Sequence, residues 1–221
     1  MRRIGRHALQ PRTHRKRRVL ATAGRRGPSA SCTEPLTRSI FVAVNDKRLP
    51  YNDVPAFLRA LRDTDAADVT KDALEWLILT ATRTNETLGA RLSEVSDKTA
   101  TWTVPPERTT SNKEHVVPLS ARALEIFAAC RKRHSGKGDF LFESRPGQPL
   151  SNMAMSVVMR RMQTPAIPHG FRYSFRDWAA DRKVEAPDRT DSLESRRKLM
   201  NDWSTYCTNR GKVLKFKRRS A

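Results

Sequence analysis

The chain has no long hydrophobic run. Its longest unbroken apolar stretches, Ile40–Val44 and Ile126–Cys130, fall far short of the roughly 20 residues that a membrane helix needs. The opening MRRIGRHALQPRTHRKRR has no apolar core of the secretory-signal kind; an organelle transit peptide, Arg-rich and acid-poor, is the alternative reading of that composition. Cysteine is scarce. Cys32, Cys130 and Cys207 are odd in number and lack Cys-x-x-Cys spacing, which argues against a disulfide framework or a zinc site and for a reducing, cytoplasmic compartment. Neither GxxxxGK[ST] nor GxGxxG occurs, so no nucleotide cofactor is expected, and no metal. Tyrosine is limited to Tyr51, Tyr173 and Tyr206, and no histidine follows His169.

Acidic residues are also in short supply. Over 221 residues, 43 Lys and Arg face 23 Asp and Glu, a net charge of +20. The mean hydropathy is −0.67 and the pI near 11.0. Such a balance attracts polyanions, most often nucleic acid. The excess is uneven. Residues 1–48 carry 13 basic and 2 acidic side chains, and residues 210–221 carry 6 basic and none acidic. Between them, 49–209 is nearly balanced. We therefore expect a basic arm over 1–48, disordered when free because it has too little apolar surface to offset ordering entropy. A folded domain over 49–209 and a basic tail over 210–221 follow.

Periodicity within 49–209 predicts a mainly α domain with a small antiparallel β-sheet. Asn52 or Asp53 caps a helix with Pro55 in its first turn and Phe57, Leu58 and Leu61 on its apolar face. Asp72 through Leu79 continues as a strongly apolar helix to about Thr82. Leu92–Val95, Thr101–Val104 and Val116–Val117 read as short strands. Ser120 caps a helix carrying Ala123, Leu124, Phe127 and Ala128. Further helices are expected from Ser151-Asn152, over His169–Arg182 and over Thr190–Thr208.

Two short motifs could carry chemistry: Arg83-Thr84-Asn85-Glu86 and His169-Gly170-Phe171-Arg172. Each is weak alone. Arg-x-x-Glu recurs at Arg91, Arg122 and Arg182, and a solvated i,i+3 ion pair is the plain reading of Arg83 and Glu86. Their surroundings are more specific. The run Ala73–Gly89, then Glu114-His115-Val116-Val117-Pro118-Leu119-Ser120, Gln148–Ala154, His169–Trp178 and Arg196-Arg197-Lys198-Leu199-Met200-Asn201-Asp202-Trp203 occur in one order. Together, over about 49–209, they resemble the catalytic domain of tyrosine recombinases, the phage-type integrases of prophages and genomic islands.

The resemblance implies a tyrosine-recombinase-like fold and metal-independent DNA strand cleavage and rejoining through a covalent tyrosyl phosphate. In that scheme Arg83 and Arg172 hold the non-bridging oxygens of a phosphorane bidentately. His169 donates or shuttles a proton, a hairpin Lys protonates the leaving oxygen, and Glu86 positions Arg83. The chain departs from the pattern in three places. Thr109-Thr110 stands where relatives place the Lys, leaving Lys113 as the substitute. Thr84-Asn85 replaces a pair that usually contains a small residue, and Asn is the residue suited to a left-handed turn there. After Asp181-Arg182 the chain reads Lys183-Val184-Glu185-Ala186-Pro187-Asp188-Arg189, with the second His and the nucleophilic Tyr absent.

Tyr206, 34 residues past Arg172, is the alternative nucleophile; its neighbours Asp202–Cys207 resemble instead the tail that follows the active site. The expectation is thus an integrase-like domain that binds duplex DNA through its phosphate backbone, in the cytoplasm and at the nucleoid, with cleavage lost. It would be a decayed copy or a competitor of an intact integrase relative. An active recombinase using Tyr206, or a basic RNA- or nucleoid-binding protein, are the other readings.

Overall fold

The computed structural model describes residues 47–182 and 192–209. The arm expected over 1–48, except its last two residues, lies outside them. So do the tail over 210–221, Thr190 and the Lys183–Arg189 stretch. The core is built around one helix. α1 (Val54–Arg62) leads into α2 (Asp68–Thr80), whose Leu74, Trp76, Leu77, Ile78 and Leu79 are all buried. A helix apolar on every side must be surrounded, and α2 packs against α1, α4 (Ala121–Arg133), α5 (Ala154–Arg161), α6 (Phe171–Asp181) and α7 (Leu193–Thr208). Its one buried carboxylate, Glu75, is gripped by Arg62 and Arg122 (Nε–Oε1 2.8 Å), which fastens α1 and α4 to it.

α2 starts four residues before Asp72 and stops at Ala81, which takes a left-handed conformation at φ 50°. The left-handed position is therefore Ala81. Asn85, expected to supply it, lies inside the short helix α3 (Thr84–Leu88). A buried threonine chain braces this corner. Thr80 Oγ1 donates to the Trp76 carbonyl at 2.7 Å and lies 2.9 Å from Thr82 Oγ1, which is 3.0 Å from Thr87 Oγ1.

The antiparallel sheet is present with a corrected first strand. Leu92–Glu94 forms a 3-10 turn, and β1 is only Val95–Ser96. β2 (Thr101–Val104) sits between β1 and β3 (His115–Pro118), with Trp102 opposite Val95 and Val117. A second hairpin joins β4 (Glu143–Arg145) to β5 (Gln148–Pro149). Ser120 caps α4 as expected, its side chain accepting from the Ala123 amide. Asp53 is the residue before α1 but makes no side-chain cap; a 3-10 turn over Tyr51–Asp53 precedes the helix instead.

Residues 47–53 form a strap along α6. The Ser174 hydroxyl donates to the Leu49 carbonyl, Arg48 pairs with Asp177 at 2.8 Å, and Tyr51 OH donates to Asp181 Oδ2 at 2.7 Å. The strap passes so close to Gly170 that a Cβ there would lie 2.1 Å from the Lys47 carbonyl oxygen. Glycine is required at that position by space. The helix expected over His169–Arg182 accordingly opens with a 3-10 turn, Pro168–Gly170, and becomes α-helical only at Phe171.

Candidate functional site

The left-handed stop at Ala81 turns the chain so that Arg83 lies at the corner between α2 and α3. Glu86, fully buried, fixes it twice: Oε2 accepts from the Arg83 amide at 2.8 Å and Oε1 from its Nη1 at 3.0 Å. The pair is thus a bracket with a buried carboxylate and a partly exposed guanidinium, in contrast to a fully solvated surface pair. Arg172, on the first turn of α6, donates from Nη1 to the Ala81 carbonyl at 2.5 Å. The same corner therefore orients both guanidinium groups, and both line one cavity of about 240 Å³.

Three features of this cavity bear on its chemistry. Its walls carry three arginines (Arg83, Arg172 and Arg196) and His115, with no carboxylate lining it among the described residues. The rest of the lining, including Val117, Phe175 and Met200, is mostly apolar, so charges there are screened less than at an open surface. Cations gathered in a wall favour an anion that several N–H donors can hold at once, even with one of them, Arg83, already paired with Glu86. Among the described residues, no group of three or more His, Cys, Asp or Glu is arranged to hold a metal ion.

His169 lies outside the cavity wall, exposed in the turn that precedes Arg172. Its ring meets Tyr173 edge-on, 5.9 Å between centroids. Partial burial, then the charges of Arg172 and Arg83, hold its pKa below the ordinary 6.5, while Glu86 opposes them. Both arginines therefore act electrostatically on His169.

The other two candidates are elsewhere. Lys113 is exposed and is not part of the cavity wall. Its backbone is pinned by Thr109, whose Oγ1 donates to the Lys113 carbonyl at 2.7 Å and accepts from its amide at 3.2 Å. Tyr206 belongs to an aromatic group with Trp203 (stacked, 5.9 Å), Trp178 and Tyr51. Its hydroxyl lies 3.1 Å from Asn52 Oδ1 and 3.4 Å from the Tyr51 carbonyl, and burial raises its pKa above the ordinary 10. Tyr51 in turn bonds Asp181 at the far end of α6. At 1.5 Å per residue, that end is about 14 Å along the helix from Arg172.

Sequence reasoning gave no role to His115 or Arg196. Both stand inside the ordered boxes, and that membership was the available signal. Cys130 and Cys207 are buried, and burial pushes the Cys130 thiol up to about 12 and Cys207 well above its ordinary value, which suits packing and not nucleophilic attack.

The sequence pattern of the phage integrase family matches residues 47–186. Prophage integrase IntA of Escherichia coli (strain K12) is 27% identical over 176 residues, 69% of this chain and 42% of that protein. Prophage integrase IntZ of the same strain is 30% identical over 177 residues, 71% of this chain and 44% of that protein. The chain thus spans less than half the length of these relatives. Among solved structures, the integrase from mycobacterium phage Brujita has a TM-score of 0.55 at 15% identity, covering 76% of this chain and 61% of that one. The Tn1549 transposon integrase in complex with circular intermediate DNA has a TM-score of 0.51 at 14% identity, covering 72% and 60%. The fold expected from the sequence, helical with a small antiparallel sheet, is the one they share. A family pattern that runs through most of the chain, carried on that fold, makes the protein a member of the phage integrase family, the tyrosine recombinases.

Proposed function

We propose that this domain binds duplex DNA by gripping one backbone phosphate between Arg83 and Arg172, and that it does so without cutting the strand. The observation that carries this reading is the shared cavity lined by those two side chains, with no carboxylate in its lining among the described residues. Each guanidinium can offer two parallel N–H donors to a phosphate, and Glu86 and the Ala81 carbonyl fix their directions beforehand. His169 adds a donor beside them. The loss of cleavage is inferred from the chain itself: Tyr206 engages its hydroxyl with Asn52, and the stretch Lys183–Arg189 carries no Tyr. The basic residues of 1–48 and 210–221 add non-specific attraction that falls steeply with salt.

The test is a nicked duplex, titrated at several salt concentrations and then assayed for a covalent protein–DNA adduct. Arg83→Ala and Arg172→Ala are each expected to weaken binding at least tenfold, with no adduct in any variant. Undiminished affinity in both variants would overturn the phosphate grip and favour a basic RNA- or nucleoid-binding protein. An adduct lost in Tyr206→Phe would instead establish an active recombinase.

A further inference from the structure

α7 delivers two adjacent arginines to the sheet, and they do different things. Arg197 is a fastener. It donates from Nη2 to the Thr99 carbonyl at 3.0 Å and from Nη1 to the Ala100 carbonyl at 3.4 Å, and it pairs with Glu194. Arg196 donates, among the described residues, once: from Nη1 to the Val116 carbonyl on β3 at 2.8 Å. Its side chain lines the cavity that Arg83 and Arg172 share. Its Nε–H is buried and, among the described residues, has no hydrogen-bond partner.

A buried N–H of a charged group without an acceptor is unfavourable, and a third cation beside two others adds repulsion. An anion against the Arg196 guanidinium relieves the repulsion. Resting on the phosphate grip proposed above, we propose that Arg196 is a third phosphate-binding residue, reaching the anion from α7 while Arg83 reaches it from the corner before α3 and Arg172 from α6. The ligand it takes is a phosphate group, that of a nucleic-acid backbone. Among the described residues no lysine lines the cavity, and Lys113 is not in its wall. Arg196 supplies positive charge there. It also holds β3 through Val116, so an anion held by Arg196 links α7 and β3 to α3 and α6. Occupancy should therefore stabilise the docking of α7, and not merely fill a hole.

The experiment uses the full chain with Arg196→Lys, Arg196→Gln and, as a control for the fastener, Arg197→Gln. Two probes are applied separately: a nicked duplex titrated across salt, and inorganic phosphate read as a rise in Tm. Arg196→Lys keeps the charge but loses the Nε–H and the planar fork, and a roughly fivefold weaker nick affinity is expected. Arg196→Gln should cost about tenfold and reduce the salt slope by about one. Arg197→Gln should lower Tm but keep the phosphate-induced rise. If Arg196→Gln and Arg196→Lys both retain full affinity and the full phosphate response while Arg83→Ala and Arg172→Ala lose them, Arg196 is structural and this inference fails alone. If Arg83→Ala and Arg172→Ala also bind normally, the phosphate grip itself fails. A response to inorganic phosphate without any effect on the nicked duplex would place a free phosphate, not a DNA backbone, in the cavity and overturn the assignment of the ligand. Should Arg196→Gln not fold, the Arg196→Lys arm decides: unchanged affinity and phosphate response overturn the proposal.

Discussion

The two ends of α6 are finished in opposite ways. At the C-terminal end, the hydroxyls have protein partners: Tyr51 bonds Asp181, and Tyr206 bonds Asn52. Around them Trp178, Trp203 and Tyr206 lie ring on ring, with Arg182 over two of the faces. At the N-terminal end, positive charge is collected and left facing a cavity, with its geometry fixed by a carbonyl and a buried carboxylate. One end is closed on itself, as a structural joint is. The other presents Arg83, Arg172 and Arg196 to a cavity whose lining, among the described residues, holds no carboxylate. The difference bears directly on Tyr206. Tyr206 packs in the closed end, its ring against Trp178 and Trp203 and its hydroxyl on Asn52.

The largest effect expected from breaking this contrast is on stability. Trp203 is fully buried, and its Nε1 donates to the Ile78 carbonyl at 2.8 Å, tying α7 to the end of α2. Trp203→Ala should cost about 3–5 kcal/mol, the usual range for removing a buried Trp. Urea unfolding measures it. The DNA affinity of the fraction that stays folded should fall much less than that of Arg172→Ala. Equal losses of affinity in the two folded proteins would mean that the two ends are not separable.

Tyr206→Phe is a smaller step at the same end. It removes one half-exposed hydroxyl and keeps the ring stack. A loss of about 1 kcal/mol is expected, that of one ordinary hydrogen bond, with nicked-duplex binding unchanged. A variant that unfolds normally but loses an adduct seen in the parent would reverse the assignment of this end.

Much of this contrast was legible in the sequence, and the reasons differ by element. α2 and α4 were readable because apolar periodicity and a Ser cap are local signals, and Ser120 and Leu74–Leu79 obey them. Pairing Arg83 with Arg172 required the ordered boxes, since nothing local to either residue records a neighbour nearly ninety positions away. Propensity favours Asn85 for the left-handed stop, yet the chain takes it at Ala81. Tertiary packing of Thr80, Thr82 and Thr87 outweighs the cost of a Cβ in that region. The strap over 47–53 was illegible for a similar reason: it is held by Asp177, Asp181 and Ser174, about 125 residues or more away, and has no period of its own. Arg196 was hidden differently. It stands beside Arg197 in a helix rich in cations, and only the path of β3 separates the residue that faces the cavity from the one that fastens the sheet.

The smallest effect concerns His169, whose proton reports on which end of α6 is charged. Its folded-state pKa is held below the ordinary 6.5 by partial burial and then by Arg172 and Arg83. For a histidine so shifted, the unfolded chain takes up the proton first. Stability is therefore intact above about pH 6.5, declines as pH falls from there towards the folded pKa, and levels off below it. The decline should be slight, because His169 is largely exposed and salt screens its neighbours. A bound phosphate reverses the field that depresses the proton affinity. Binding of a nicked duplex should therefore take up a proton, and affinity should rise as pH falls below 6.5. Each half unit of pKa recovered is worth about threefold. His169→Gln should flatten that rise while leaving affinity at pH 8 nearly unchanged. If His169→Gln keeps the full pH dependence, the charge that His169 senses is not the one that holds the phosphate, and the N-terminal end of α6 would have to be divided into two separate electrostatic sites.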